Sequence, residues 1–197
     1  IKRMFAYSSA SHLSFISAGI FSLNSYGING ALYLIIAHAI ATGALFLLVG
    51  LMHEQTGFKT IKDLGGIAKK APIFTFIFAV MLFANVGLPG TNGFVSELLI
   101  IFGIYEFNHA LGYVSALTVI IGASYMLWMF QRAILQDRPE GSDELTMRDL
   151  KVKEVLGLAP WVILVFLMGF YPEVFMNKFE PTVTHYLNDI LQIGATK

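Results

Sequence analysis

Cysteine is absent from all 197 residues, which excludes disulfides, thiolate metal sites and cysteine nucleophiles. Charge is nearly as scarce. Asp, Glu, Lys and Arg make up only 13% of the chain and hydrophobic residues 56%, against about 25% and 45 to 50% in a typical soluble domain. The formal net charge is zero, so there is no basic excess to bind nucleic acid. Three catalytic signatures are missing as well: a short-spaced metal pair such as H-x-x-x-H, a G-x-S-x-G nucleophile elbow, and a glycine-rich phosphate loop with its following lysine.

What remains is long apolar sequence. Met4 to His53 is a run of fifty residues without Asp, Glu, Lys or Arg, long enough for two membrane helices of about 20 residues each. Asn24 to Gly30 supplies a turn between them. Further apolar stretches predict an all-α, polytopic membrane helix bundle with spans at about 4–24, 30–52, 73–104, 112–133 and 154–172. Residues 1–175 then form the transmembrane portion. Residues 176–197 form an amphipathic tail, because Phe175, Phe179, Val183, Tyr186, Leu187 and Ile190 recur at helical spacing and Pro181 can start the helix. The mixed-charge loop 137–154 reads as solvated surface, with room for a short interfacial helix over 144–151. The chain opens at Ile1 and enters its first span directly after Lys2 and Arg3, which suggests a piece of a longer protein.

Basic residues alternate between loops. Lys2 and Arg3, then Lys59, Lys62, Lys69 and Lys70, then Arg132, Arg138, Arg148, Lys151 and Lys153 fall on every second connection, while 24–30 and 105–111 have none. The positive-inside rule therefore places the start on the cytoplasmic (or matrix) side and the C-terminus on the opposite side.

Span 73–104 is too long. Its 32 residues would extend about 48 Å as one straight helix, against a hydrocarbon core of about 30 Å. Gly87, Pro89 and Gly90 supply a break, since proline removes an amide donor and glycine permits non-helical backbone. Thr91 or Asn92 can cap the second half. Seven residues beyond Gly90 stands Glu97, the lone charge between Ala71 and Tyr105. An ionisable group inside a membrane costs about 2.5–3.5 kcal/mol or more, and it marks a functional site or a pair of helices glued by hydrogen bonds.

His12 and His38 are the other titratable groups within the spans, and chain distances put all three near the bilayer midplane. Ser8, Ser9, Ser11 and Ser14 surround His12, and Thr42 follows His38 by one turn. Imidazole and hydroxyl groups at that depth suit proton relay, or simply satisfy two packed neutral histidines. The same three residues offer a two-His, one-carboxylate metal set in principle, but without close spacing no metal is expected.

Several ordered motifs carry a family resemblance: Ile1-Lys2-Arg3, Ala6 to His12, Ala37-His38, Leu64-Gly65-Gly66, Gly87-Leu88-Pro89-Gly90-Thr91 and Gly93 to Glu97. Together the chain resembles the C-terminal five spans of the antiporter-like proton-pumping subunits of respiratory complex I (NADH:quinone oxidoreductase), with glutamate at position 97 pointing to the subunit M, or chain 4, branch. The resemblance implies a translocase subunit in which Glu97 is the terminal proton-exchanging acid. His12 and His38 would link it to a central lysine, and Ser8, Ser11 and Thr42 would be accessory relay or hydration groups. That lysine and a Glu/Lys pair would lie in earlier spans. Ser14 and Ala39 depart from glycines common beside the histidines. The resemblance further implies no cofactor in this chain, with NADH, FMN, iron–sulfur clusters and quinone bound elsewhere in the complex. Its partners would be the other membrane-arm subunits, especially the sister antiporter-like subunits, and the lipid of a bacterial inner (cytoplasmic) membrane. A Mrp-type cation/proton antiporter or membrane-bound hydrogenase subunit is a second reading, and a structural membrane scaffold a third.

Overall fold

The computed structural model describes residues 1–57, 60–138 and 146–195; Lys59, Lys197 and the start of the candidate interfacial helix, 144–145, lie outside them. It is all-α among the described residues: α1 Lys2–Phe21, α2 Ser25–Thr56, α3 Ile67–Lys70, α4 Pro72–Asn85, α5 Asn92–Phe107, α6 His109–Phe130, α7 Val152–Phe170, α8 Glu173–Met176 and α9 Glu180–Ala195. Among the described residues, three stretches are long and apolar enough to cross a membrane, Ser25–Thr56, His109–Leu135 and Val152–Phe170. The other two expected spans, 4–24 and 73–104, fall short of that measure for informative reasons. Serines and His12 dilute the hydropathy of α1, and the break divides α4 from α5.

Helix ends follow capping chemistry more than hydropathy. Asn24 is not part of a long turn but the N-cap of α2, its Oδ1 accepting from the Gly27 amide at 2.9 Å, so α2 starts five residues before the expected Gly30. Asn108 likewise caps α6 by accepting from the Leu111 amide, so that helix starts at His109. At its other end α6 runs on as a π-turn, Gln131–Leu135, closed by Gln136 N–H donating to the Gln131 carbonyl at 2.8 Å. α7 starts at Val152 and ends at Phe170, with Pro160 inside it. Residues 146–151 precede α7 without helical structure.

That non-helical segment is a strap. The Arg148 amide donates to Gln55 Oε1 on α2 at 3.0 Å, and its guanidinium pairs with Glu154 on α7 at 2.7 Å. Asp149 accepts from the Ile73 and Phe74 amides, each at 2.9 Å. α4 has no side-chain cap of its own. Asp149 provides one from a distant part of the chain, and the ends of α2, α4 and α7 are joined at a single point.

Two apolar cores flank the middle of the bundle. The larger gathers Phe5, Leu45, Leu48, Phe74, Phe78, Met81, Met129, Ile134 and Val165 near the basic loops. The smaller gathers Ile16, Ala31, Leu34, Ile100 and Ile104. Along α1 and α2, His12 and His38 fall between them. Beyond α7, the α9 helix begins at Glu180, with Pro181 in its first turn and Val183 buried. It packs against α2.

Candidate proton-relay site

Close backbone approach brings α1, α2 and α5 together toward the far ends of α1 and α5 and the start of α2. A Cβ on Gly103 would lie 2.3 Å from the Gly27 amide nitrogen, and one on Gly19 would lie 2.9 Å from the Gly27 carbonyl oxygen. Only small residues let three helices meet this tightly. One consequence is that side chains from all three reach a common point in the middle of the bundle.

The break is built as its residues dictate. Leu88 N–H donates to the Phe83 carbonyl at 2.9 Å, and Thr91 N–H to the Leu88 carbonyl at 3.1 Å, so the backbone turns out of helical geometry while keeping these bonds. Thr91 occupies the N-cap of α5, but its hydroxyl donates to the Leu88 carbonyl at 2.7 Å and does not cap the helix. Gly87 adopts φ +70° and Gly90 φ +91°, both in the left-handed region. α7 closes the break from outside, since a Cβ on Gly169 would meet the Gly90 carbonyl oxygen at 2.2 Å.

Glu97 is 5% exposed and pairs with His12, whose Nε2 stands 3.4 Å from the carboxylate Oε1. The other carboxylate oxygen rests against Gly87, where a Cβ would approach it to 2.3 Å. His12 Nδ1 donates to the Ser8 carbonyl at 2.9 Å. A carbonyl only accepts, so in neutral His12 the ring proton sits on Nδ1 and Nε2 is a bare acceptor facing the acid. A single proton then suffices for the pair, on the carboxyl or on Nε2.

The His38 ring stacks on that of His12, centroids 4.6 Å apart and planes 22° apart. Stacked rings do not converge their nitrogens on one point, and among the described residues no group of three His, Asp or Glu is arranged to hold a metal. His38 Nε2 lies 3.1 Å from Ser9 Oγ, and Nδ1 lies 3.1 Å from Thr42 Oγ1. Asn85 Nδ2 donates to the same Thr42 oxygen at 3.3 Å.

His12, His38, Thr42 and Glu97 thus come together. Ser8 contributes its backbone carbonyl and not the hydroxyl expected, while Ser9, expected beside His12, serves His38. The reason is helical geometry, which places the carbonyl of residue i−4 directly below a side chain at i. Ser11 lines the cavity described next without joining the hydrogen-bonded chain, and the Ser14 hydroxyl turns back to the Ala10 carbonyl. Sequence reasoning missed Asn85. Its signal was a polar amide in the last turn before the break, inside an otherwise apolar half-helix.

A cavity of about 420 Å³ opens beside the pair. One end is lined by Ser8, Ser11, His12, Asn85 and Glu97, the other by Phe21, Ser22, Phe107 and Leu111 at the far ends of α1, α5 and the start of α6. Ser14, Ser115 and Thr118 provide hydroxyls along its wall. Among the described residues, buried Ser8 Oγ and Asn85 Oδ1 have no protein partner, a pattern that suits ordered water.

A membrane helix bundle whose broken helix carries a buried acid paired to an imidazole is the class of protein defined here. Residues 1–122 match the family model described as "NADH:quinone oxidoreductase/Mrp antiporter, TM", and the chain belongs to that family. It is 36% identical over 187 residues to the NADH-quinone oxidoreductase subunit M of Rickettsia bellii, covering 95% of this chain and 38% of the relative. With the NADH-ubiquinone oxidoreductase chain 4 of Marchantia polymorpha it shares 37% identity over 94% of this chain and 37% of the relative. Among solved structures, a chain of respiratory complex I from Thermus thermophilus with bound NADH superposes with TM-score 0.86 at 33% identity, over 95% of this chain and 39% of that one. A chain of the Mrp complex from Dietzia shares the fold, with TM-score 0.81 at 17% identity over 94% of this chain and 42% of that one. The chain therefore spans about 38% of the length of the curated relatives it matches.

Proposed function

We propose that this chain is the C-terminal portion of a proton-translocating membrane-arm subunit of an NADH:quinone oxidoreductase, in which Glu97 exchanges protons between a histidine relay and the cavity. The observation that carries this reading is the His12–Glu97 pair at 3.4 Å, one face toward stacked His38 and the other toward the cavity. The pair holds one proton at either of two positions, so a change in hydration or in a nearby charge moves it without a large rearrangement. Serine and threonine hydroxyls along the cavity suit a hydrated path from Glu97 toward the far membrane face.

Redox chemistry belongs to other subunits under this reading. NADH, flavin, iron–sulfur clusters and quinone bind elsewhere, and this chain contributes energetic coupling. Its partners are the other membrane-arm subunits, the sister antiporter-like subunits foremost, and lipid. In a bacterial inner membrane the start of the chain would then lie on the cytoplasmic side and the C-terminus on the opposite side, a reading that the alternation of basic loops supports.

The test is Glu97→Gln in the assembled complex. Quinone reduction should persist while proton translocation falls by roughly a hundredfold, the low end of what a positioned acid–base group contributes. Normal proton-to-electron stoichiometry with normal assembly would sink the proposal. Loss of assembly alone would support a scaffold, and translocation that follows Na⁺ gradients without NADH oxidation would support a Mrp-type antiporter.

A further inference from the structure

Asn85 is 5% exposed, stands in the last turn of α4 and is not accounted for by the relay as so far described. Its place in the hydrogen-bond network has a directional consequence. The Asn85 amide Nδ2 donates to Thr42 Oγ1 at 3.3 Å. The Thr42 hydroxyl has one proton to give, and His38 Nδ1, 3.1 Å away, is nearer to it than Nε2 at 3.4 Å. Accepting from Asn85 occupies one of the two Thr42 lone pairs and turns the hydroxyl proton away from the amide, toward Nδ1. Nδ1 is then the bare nitrogen of neutral His38, and Nε2 carries the proton that is donated to Ser9 Oγ at 3.1 Å.

We infer that Asn85 is a positioning residue that sets the tautomer of His38 through Thr42, and that it thereby couples the helix break to the histidine relay. The inference rests on the relay reading above and deepens it. The two stacked histidines are held in opposite tautomers: His12 with its proton on Nδ1, committed to the Ser8 carbonyl, and His38 with its proton on Nε2. A proton that reaches His38 is taken up at the bare Nδ1, and the Thr42 oxygen turns to accept from it. The imidazolium so formed releases its Nε2 proton toward Ser9 on α1 and is left neutral with the other tautomer. The hydroxyl held by Asn85 opposes that tautomer and favours return to the first. Because Asn85 immediately precedes Val86 and Gly87, any shift of the break shifts the amide that holds Thr42. The other end of the amide, Oδ1, has no partner among the described residues, and Asn85 lines the same cavity as His12 and Glu97.

The experiment is ¹⁵N NMR of histidine-labelled full-length protein in native membranes, with His38→Gln as the assignment control. Protonated and bare ring nitrogens have well-separated shifts, so the tautomer is read directly. In the wild type, His38 is expected to carry its proton on Nε2. Asn85→Leu should weaken that preference by about fivefold, the weight of one ordinary hydrogen bond. Thr42→Val removes the same link from the other side and should give the same spectrum, which decides the matter if the buried Asn85→Leu change prevents folding. A wild-type proton on Nδ1, or a His38 spectrum indifferent to both substitutions, overturns the inference. The spectrum is independent of pumping: normal translocation by Glu97→Gln would end the relay reading and leave the tautomer result standing.

Discussion

His12 Nε2 and Glu97 Oε1 lie 3.4 Å apart, joining the first helix of the chain to the second half of the broken one. Since Nδ1 of His12 is committed to the Ser8 carbonyl, only Nε2 can exchange with the acid. His38 touches Glu97 only through the ring stacked between them. His12→Ala should therefore reduce translocation more than His38→Ala, because it removes the acid's direct partner and opens its place to the cavity. Equal losses in the two variants, measured as protons moved per electron at matched assembly, would contradict this order.

Gly87 and Gly57 form a matched pair, both at φ +70°. Alanine at either carries a left-handed backbone penalty of about 1 kcal/mol. At Gly57 no described residue lies within 4 Å of the new Cβ, whereas at Gly87 it would stand 2.3 Å from the Glu97 carboxylate. Gly87→Ala should abolish most translocation while Gly57→Ala loses only a little stability. Thermal unfolding and pumping, measured on both, separate backbone strain from displacement of the acid.

Asp149 should make stability fall in acid. Partial burial works against its charged form, but the backbone N–H groups of Ile73, Phe74 and Leu150 outweigh this and hold the carboxyl below the usual carboxylate range. A folded-state value below the unfolded one means that the stabilisation is complete above the ordinary carboxylate range and is lost as pH falls through the depressed value. Asp149→Ala should remove this component and speed amide exchange at Ile73 and Phe74. Exchange at these two amides that is unchanged in the variant would show that the strap does not cap α4.

Tyr33 is fully buried and its hydroxyl donates to the Met168 carbonyl at 2.6 Å, tying α2 to α7. Tyr33→Phe keeps the ring packing and deletes the bond. A loss of about 1 kcal/mol is expected, the ordinary weight of one hydrogen bond, with a carbonyl left without its partner. Denaturation in detergent measures it, and proton translocation should be affected far less than by Gly87→Ala.

Much of the architecture was legible in residue order. The length of the 73–104 stretch and the Gly87-Leu88-Pro89-Gly90 sequence led to a broken helix, and α4 ends at Asn85 while α5 starts at Asn92. The polar caps were harder to see. Asn24 reads as a turn residue by composition, yet its carboxamide starts α2, because a capping side chain belongs to the helix it opens. Cavity-lining Ser11 and hydrogen-bonded Ser9 lie about 200° apart around α1, and hydropathy alone does not tell which of them faces His38.

By itself the sequence determined the solvent, the break and the inventory: an apolar chain for a bilayer, a helix that cannot cross in one piece, and one acid with two histidines at similar depth. Those follow from local quantities, namely side-chain hydropathy, rise per residue and the missing amide of Pro89. Tertiary structure alone decided which nitrogen of His12 meets Glu97, that Asn85 holds Thr42, and that Asp149 caps a helix far from it in the chain. Each of these depends on how one helix is rotated and shifted against another. Periodicity specifies the face of a single helix, while rotation and shift come from close contacts such as Gly27 against Gly103, which have no expression until the helices pack.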